Sequence, residues 1–292
     1  MNDFRAGFVS IIGKPNVGKS TLLNRLIGDK LSIISPKPQT TRRCIRGFLN
    51  LEKAQVIFLD TPGFIEPRYE LQEKMRKFLN DSLKGSDLVL FITSAPDFPS
   101  DYDEAVLKLL KSSNKTAFGI LNKVDLCSKD ILEEKEVYLK SHIDKVFTMS
   151  ALKDDNFDDL TSSIVQNLQY SPPLYNTEDL SDMPLRFFAS EIIREKIFLG
   201  FDEEIPYSST VVIEKWIEET TRDVIQATIW VEKDSQKQIV IGKSGTKIGS
   251  IREKAEHDIS QLTGKIAVLN LWVKVKHNWR KKLGALHEFG YK

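Results

Sequence analysis

The 292-residue chain has only two cysteines, Cys44 and Cys127, far apart and in no CxxC or Cys/His cluster. That scarcity excludes a disulfide framework and a zinc site of the usual spacing, and fits a reducing cytoplasm. Long hydrophobic runs are also missing. The apolar stretch Phe8–Ile12 is stopped by Gly13 and Lys14, too early for the core of a signal peptide. Leu88–Ile92 is far below the roughly 20 residues that span a bilayer. The expectation is a soluble or at most peripheral protein. Net charge is nearly absent too, at +1, so any contact with a polyanion must come from local charge. No internal repeat or low-complexity tract is visible. Hydrophobic residues at 41% and charged residues at 28% are those of a globular protein, and the length suits two domains.

The first half alternates short apolar runs with amphipathic segments, the pattern of an open, mostly parallel α/β sheet with helices on both faces. Strands are expected at Phe8–Ile12, Gln55–Leu59, Asp87–Thr93, Thr116–Leu121 and Lys145–Met149, with an edge strand at Cys44–Asn50. Helical spacing marks Thr21–Ile27, Leu71–Leu83, Asp103–Lys111, Lys129–Ser141 and Phe157–Leu168. Tyr170–Pro184, with three prolines among acidic and polar residues, reads as a linker. The divisions are therefore 1–170, a linker at 171–187, and 188–292. The last part reads as an α+β unit, with a helix at Ser190–Leu199, strands at Ser209–Glu218 and Asp223–Glu232, a glycine-containing loop, a helix at Thr246–Thr263 and a strand at Ala267–Val275.

Gly13-Lys14-Pro15-Asn16-Val17-Gly18-Lys19-Ser20 fits GxxxxGK[ST] and lies between a predicted strand and a predicted helix that Thr21 enters. Glycines let consecutive N–H groups and a helix N-terminus wrap a phosphate. Lys19 then reaches the β and γ phosphates, and the Ser20 hydroxyl binds Mg²⁺. Asp60-Thr61-Pro62-Gly63 follows the next interior strand, at a carboxyl end where ligands of open sheets bind. Asp60 is placed to hold Mg²⁺ through water, and the Gly63 N–H to meet the γ-phosphate. Asn122-Lys123-Val124-Asp125 follows a further strand. A carboxylate at Asp125 accepts from the ring N–H and the amino group of guanine together, a donor pair that adenine lacks. Sites built on such hydrogen bonds discriminate by about 10⁴ or more. Asn122 ties the base edge to the loop, the Lys123 stem covers the base, and Ser150-Ala151 supplies an N–H to the guanine carbonyl. A nucleic-acid-dependent ATPase is the reading that Asn122 and Asp125 oppose.

Together these motifs resemble the translation-factor-related class of P-loop GTPases, and GKPNVGKST, QTTR and DTPG look like the Era type. The resemblance implies a switch segment at Gln39-Thr40-Thr41-Arg42, with one threonine completing the Mg²⁺ shell. Thr41 is favoured, and the spacing also allows Thr40. The expected catalytic set is Lys19, Thr41 and Gly63, acting on GTP and leaving GDP. Many GTPases place a water-orienting glutamine after DxxG. Phe64 stands there instead, as a shield or as core, so hydrolysis is expected to be slow unaided. Related GTPases with asparagine at the place of Asn16 use a potassium ion beside the phosphates, which the resemblance extends to Asn16. The alternative is that Asn16 only stabilises the turn.

Gly242-Lys243-Ser244-Gly245, followed by Thr246 and Lys247, is a basic GxxG loop between apolar segments, as in a KH domain of the second type, where it clamps single-stranded RNA. Ser190–Lys196 and Leu271–Lys276 also look like Era sequence. Beyond them lie His277, Trp279, Arg280, Lys281 and Lys282. Trp279 is suited either to stacking a base, with Arg280 and Lys281 on phosphates, or to packing on the domain. The resemblance implies binding of the 3′ region of 16S ribosomal RNA and a role in assembling the small (30S) ribosomal subunit. It also implies peripheral association with the cytoplasmic face of the membrane. A monomer in the cytoplasm is expected. The rival function is an RNA-binding module whose nucleotide is structural and never hydrolysed.

Overall fold

Strand β1 (Arg5–Ile12) sits in the middle of the first sheet because Val9, Ile11 and Ile12 are buried on both of its faces. Its neighbours are β3 (Ala54–Asp60) and β4 (Leu88–Ser94), every residue of which is buried. Strands covered on both sides have no solvent face to mark with polar residues, so they read as unbroken apolar runs. The computed structural model that gives this architecture describes residues 3–63, 66–153 and 157–291.

The sheet has six strands in the order β2-β3-β1-β4-β5-β6, with β2 at Ile45–Leu51, β5 at Ala117–Asn122 and β6 at Lys145–Thr148. All pairings are parallel except that of edge strand β2 with β3. Helices α1 (Lys19–Ile27) and α5 (Asp158–Asn167) cover one face through Leu22, Leu23, Leu26, Leu160 and Ile164. Helices α2 (Glu70–Gly85), α3 (Asp101–Ser113) and α4 (Lys129–Lys140) cover the other through Leu79, Leu83, Val106, Leu110 and Leu139. Strand order reverses about β1, and the carboxyl ends of β1, β3 and β5 open on one edge of the sheet. That is where open α/β sheets take their ligands.

The proline-rich stretch after α5 is not a loose tether. Gln55 Oε1 accepts from the N–H groups of Leu174 and Tyr175, the Leu180 carbonyl accepts from Phe48 N, and Phe48 and Tyr175 stack at 4.3 Å. Edge strand β2 thus has its open hydrogen-bonding side covered, which blunts edge-to-edge pairing. The chain divides into a unit of Met1–Glu66 with Met75–Asp182, and one of Pro67–Lys74 with Met183–Lys292.

The second unit begins with α6 (Leu185–Gly200), five residues earlier than its spacing predicts, because Pro184 suits a helix entry and Phe187 and Phe188 are buried. Strands β7 (Thr210–Glu218) and β8 (Arg222–Val231) form an antiparallel hairpin, and β9 (Ile266–Val275) pairs parallel with β8. Between β8 and β9 come α8 (Asp234–Ile241) and α9 (Thr246–Thr263), after the short α7 (Ile205–Ser208) upstream of β7. Helices α6, α8 and α9 bury Ile193, Val240, Ile251 and Ile259 against the inner sheet residues Ile225, Ile229, Leu269 and Val273. Helices α7, α8 and the C-terminal α10 (Leu283–Glu288) are absent from the sequence-based expectation, each being too short to show a period.

Candidate functional site

The loop from Gly13 to Gly18 carries β1 into α1, and the close packing explains its glycines. A Cβ on Gly13 would lie 2.1 Å from the Ile92 carbonyl oxygen, and one on Gly18 (φ 107°) would lie 2.3 Å from Asn122 Nδ2. Val17 is fully buried. Lys19 is 6% exposed, and its ammonium donates to the carbonyls of Gly13 at 3.2 Å and Lys14 at 2.9 Å. Burial lowers its pKa to about 8 against the opposing pull of Asp60. An ammonium so held is ready to gain an anionic partner.

Asp60 ends β3 fully buried, and Thr61 donates from Oγ1 to the Ile11 carbonyl at 2.7 Å, tying β3 to β1 beside the loop. Asp60 Oδ2 accepts from Ser20 Oγ at 2.8 Å and from Ser32 Oγ at 2.9 Å. The other oxygen, Oδ1, is buried without a hydrogen-bond partner among the described residues. Burial raises the Asp60 pKa, opposed by Lys19 and by the Ser20, Ser32 and Thr41 hydroxyls. Thr41 Oγ1 lies 2.9 Å from Ser20 Oγ. Thr40 instead turns to its own loop, donating to the Lys37 carbonyl at 2.6 Å and meeting Ser35 Oγ at 3.0 Å. Gly63 lies against the loop, where a Cβ would come 2.8 Å from the Pro15 nitrogen. Pro62 is buried, and Phe64 lies outside the described residues.

Asn122, at the end of β5, is a clamp. Its amide nitrogen donates to the Val17 carbonyl at 2.7 Å, and its amide oxygen accepts from Ala151 N at 2.8 Å, so it joins the phosphate loop to the turn after β6. Lys123 (φ 61°) crosses to the Asn16 carbonyl at 2.7 Å. The Asp125 carboxyl is held below its usual range by a Ser150 hydrogen bond and by Lys153, whose ammonium is 3.0 Å away. Asn16 itself donates from its side chain to the Pro36 carbonyl. A cleft of about 430 Å³ is lined by Lys19, Ser20 and Thr41 together with Lys123, Asp125 and Ser150, while Asp60 and Lys153 stand outside its lining. Thr21, one residue into α1, borders the same cleft.

Three partners were invisible in the sequence. Ser32 shares the Asp60 carboxylate, and Lys153 shares Asp125. Lys14 of the loop reaches the buried Asp103 at 3.6 Å, which also accepts from Thr93 at 2.7 Å and caps α3. No local spacing marks contacts that join separate strand ends.

In the second unit, Gly242 (φ 73°) and Gly245 (φ 79°) bend the chain between α8 and α9, with Ser244 also left-handed at φ 51°. Lys243, Ser244 and Lys247 are exposed, and Thr246 Oγ1 donates to the Lys243 carbonyl at 3.0 Å. Trp279, one reading of which was base stacking, is fully buried: Nε1 donates to the Ser208 carbonyl at 2.8 Å, and the ring packs against Phe289 and Tyr291. Its apolar surface closes the domain and offers no face to a base. Arg280 pairs with the buried Glu232, while Lys281 is exposed.

Among known families, a 50S ribosome-binding GTPase description matches residues 8–123, and a KH domain description matches residues 204–280. The GTPase Era of Staphylococcus haemolyticus (strain JCSC1435) is 41% identical over 294 residues, covering 100% of this chain and 98% of that one. An Aquifex aeolicus Era variant bound to GDP.AlF4- superposes with TM-score 0.95 at 36% identity, covering 99% of each chain. A structure of Era in complex with MgGDPNP and nucleotides 1506–1542 of 16S ribosomal RNA matches with the same score, identity and coverage. Likeness that runs end to end, through both the nucleotide cleft and the GxxG unit, makes this chain a GTP hydrolase of the Era family.

Proposed function

We propose that the chain binds GTP across the cleft with Mg²⁺ at the Ser20 end, and that nucleotide state governs its hold on the 3′ region of 16S ribosomal RNA during assembly of the small subunit. The observation that carries the metal half is Asp60 Oδ1, a buried carboxylate oxygen lacking a partner among the described residues, beside the Ser20 and Thr41 hydroxyls. Hard oxygen donors of this kind suit Mg²⁺. Ser20 and Thr41 would hold it directly and Asp60 through water; once bound it neutralises charge on the phosphate oxygens. Thr40, tied to Lys37, is the weaker candidate.

The remaining work falls to the chain itself. Lys19 turns from the loop carbonyls to the phosphates, and the loop N–H groups and the Gly63 N–H meet the anion without reorganisation. Asp125, already ionised and oriented by Ser150 and Lys153, accepts from the guanine edge. Asn122 holds the turn after β6 by accepting the Ala151 N–H, so the N–H expected at the guanine carbonyl is engaged by Asn122 Oδ1. Potassium beside Asn16 would supply the extra positive charge that this set lacks. GTP turnover in potassium against sodium at equal ionic strength tests that part, and equal rates reject it.

The RNA half rests on Lys243, Ser244 and Lys247, exposed on the glycine-bent loop, and on the complex formed by the 36% identical Era. Lys281 adds an exposed charge; Arg280, engaged by Glu232, and Trp279, in the core, contribute through the fold. No described helix is long and apolar enough to cross a membrane, and a cytoplasmic monomer with at most peripheral membrane contact is the accompanying proposal. Binding of the 1506–1542 fragment in GDP and in a non-hydrolysable GTP analogue tests the coupling. Lys243→Asp with Ser244→Asp is expected to abolish binding in both states, and unchanged binding overturns the assignment.

A further inference from the structure

The sheet of the second unit has two faces, and only one is used by α6, α8 and α9. Alternation along β9 turns Ala267, Leu269 and Val273 into the core and Val268, Asn270, Trp272 and Lys274 outward. The strand register extends that outer face across the sheet. Ile217, Val224 and Val268 form one row, and Lys215, Gln226 and Asn270 the next. Val212, Thr228 and Trp272 form a third, and Thr210, Trp230 and Lys274 a fourth. The C-terminal segment covers the fourth row, where Phe289 packs on Trp230 at 5.6 Å and the Tyr291 hydroxyl meets Thr210 at 3.2 Å. In the first two rows Ile217, Lys215 and Asn270 are exposed; in the third Thr228 is buried, and Trp272 beside it is 46% exposed.

Trp272 and Ile217 are exposed on a face rimmed by Lys215, Gln226, Asn270 and Lys274, and an exposed apolar patch with a polar rim is the kind of surface that marks an interaction site. The rows around Trp272 narrow the choice of partner. Their ionisable strand residues are the cations Lys215 and Lys274, and none of the twelve strand positions carries a carboxylate. Carboxylates border the face: Glu214, the bulged residue of β7, is exposed beside Lys215, Glu219 pairs with Arg222 in the next outward row, and Glu288 pairs with Lys276 past the fourth, which leaves Lys215 and Lys274 as its cations without an ion pair among the described residues. Gln226 and Asn270, in the row beside Trp272, offer amide donors and acceptors. A bilayer would have to desolvate those amides. A nucleic acid instead supplies a π-face for the indole, base edges for the amides and phosphates for the lysines.

We propose that this outer face is a second RNA-binding surface, on the side of the sheet opposite the GxxG helices, with Trp272 stacking an unpaired base and Lys215 and Lys274 meeting the flanking phosphates. The proposal rests on the RNA-binding reading of this domain. It moves the aromatic contact from Trp279, which is sealed in the core, to Trp272, the most exposed of the four tryptophans. A surface of this kind would let one domain grip two stretches of a folded RNA, one on each side of the sheet.

The test is fluorescence anisotropy with nucleotides 1506–1542 of 16S ribosomal RNA on the full chain, comparing wild type, Trp272→Ala, Trp272→Phe and the Lys243→Asp, Ser244→Asp double variant. Trp272→Ala is expected to weaken binding by about 5- to 150-fold, the range of one stacked base. Its thermal midpoint should fall far less than that of a core-tryptophan variant, and Trp272→Phe should recover most of the affinity. Quenching of tryptophan emission by the RNA should largely vanish in Trp272→Phe. If Trp272→Ala binds like wild type while the double variant loses the RNA, the second surface does not exist. If neither substitution matters, the RNA-binding reading itself fails. Loss of binding to anionic vesicles with RNA affinity intact assigns the face to membrane and overturns the proposal.

Discussion

Asn122→Ala separates the clamp described above from a mere base contact. Asn122 is 2% exposed and makes two buried hydrogen bonds, to the Val17 carbonyl at 2.7 Å and from Ala151 N at 2.8 Å. Alanine leaves both backbone groups buried and unpaired, at roughly 1–3 kcal/mol each when water does not replace the lost partner. Water entering the vacated space recovers part of that, so a loss of about 2–4 kcal/mol is expected in the nucleotide-free protein. For a unit of this size each kcal/mol moves the midpoint by about 2–4 °C, which gives a fall of about 4–16 °C. Differential scanning calorimetry of nucleotide-free wild type and variant measures it, with GDP titration calorimetry alongside. A midpoint within a degree or so of wild type, with GDP affinity still lost, would refute the clamp and leave Asn122 as a ligand contact only.

Three further outcomes follow from the same geometry. Thr41→Ala should weaken Mg²⁺-dependent binding of a GTP analogue by about tenfold or more, as loss of one charge-assisted contact does, while leaving GDP affinity nearly intact. Thr40→Ala should change neither, and the reverse pattern in a fluorescent-nucleotide titration would assign the metal to Thr40. Lys19, with its pKa lowered to about 8, binds fewer protons folded than unfolded between about pH 8 and its ordinary 10.5, so its contribution to stability rises with pH through that window. Phosphate would restore the proton, so calorimetry in buffers of different ionisation heat should show proton uptake on GDP binding at pH 9 and little at pH 7; equal uptake at both would contradict the assignment. Trp279→Ala should destabilise the second unit by about 3–5 kcal/mol as a fully buried ring, and a midpoint unchanged in thermal denaturation would show that the ring is not part of the core.

Much of the first domain was legible because parallel strands buried on both faces announce themselves as apolar runs, and because glycines in close-packed turns cannot be replaced quietly. The loop at Gly13–Gly18, Asp60 and Asn122 all stand at strand ends that periodicity alone locates. The choice between Thr40 and Thr41 was not legible, since it depends on whether the hydroxyl meets Lys37 or Ser20. Ser32 and Lys153 were missed for the same reason: each completes a carboxylate whose partner lies in another segment. The tryptophans show the limit most clearly. Trp272 and Trp279 are seven residues apart in equally basic surroundings, yet one lies on an open sheet face and the other under Phe289 and Tyr291. Only the tail's path across the sheet distinguishes them.

The central claim is a guanine-specific hydrolase, and phosphate release from GTP in Mg²⁺ with ATP as competitor tests it most directly. More than one phosphate released per protein, with the rate unaffected by a hundredfold excess of ATP, is the predicted result, since guanine selectivity of about 10⁴ leaves that excess without effect. Release that stops at or below one equivalent, or that ATP suppresses in proportion to its concentration, would contradict it.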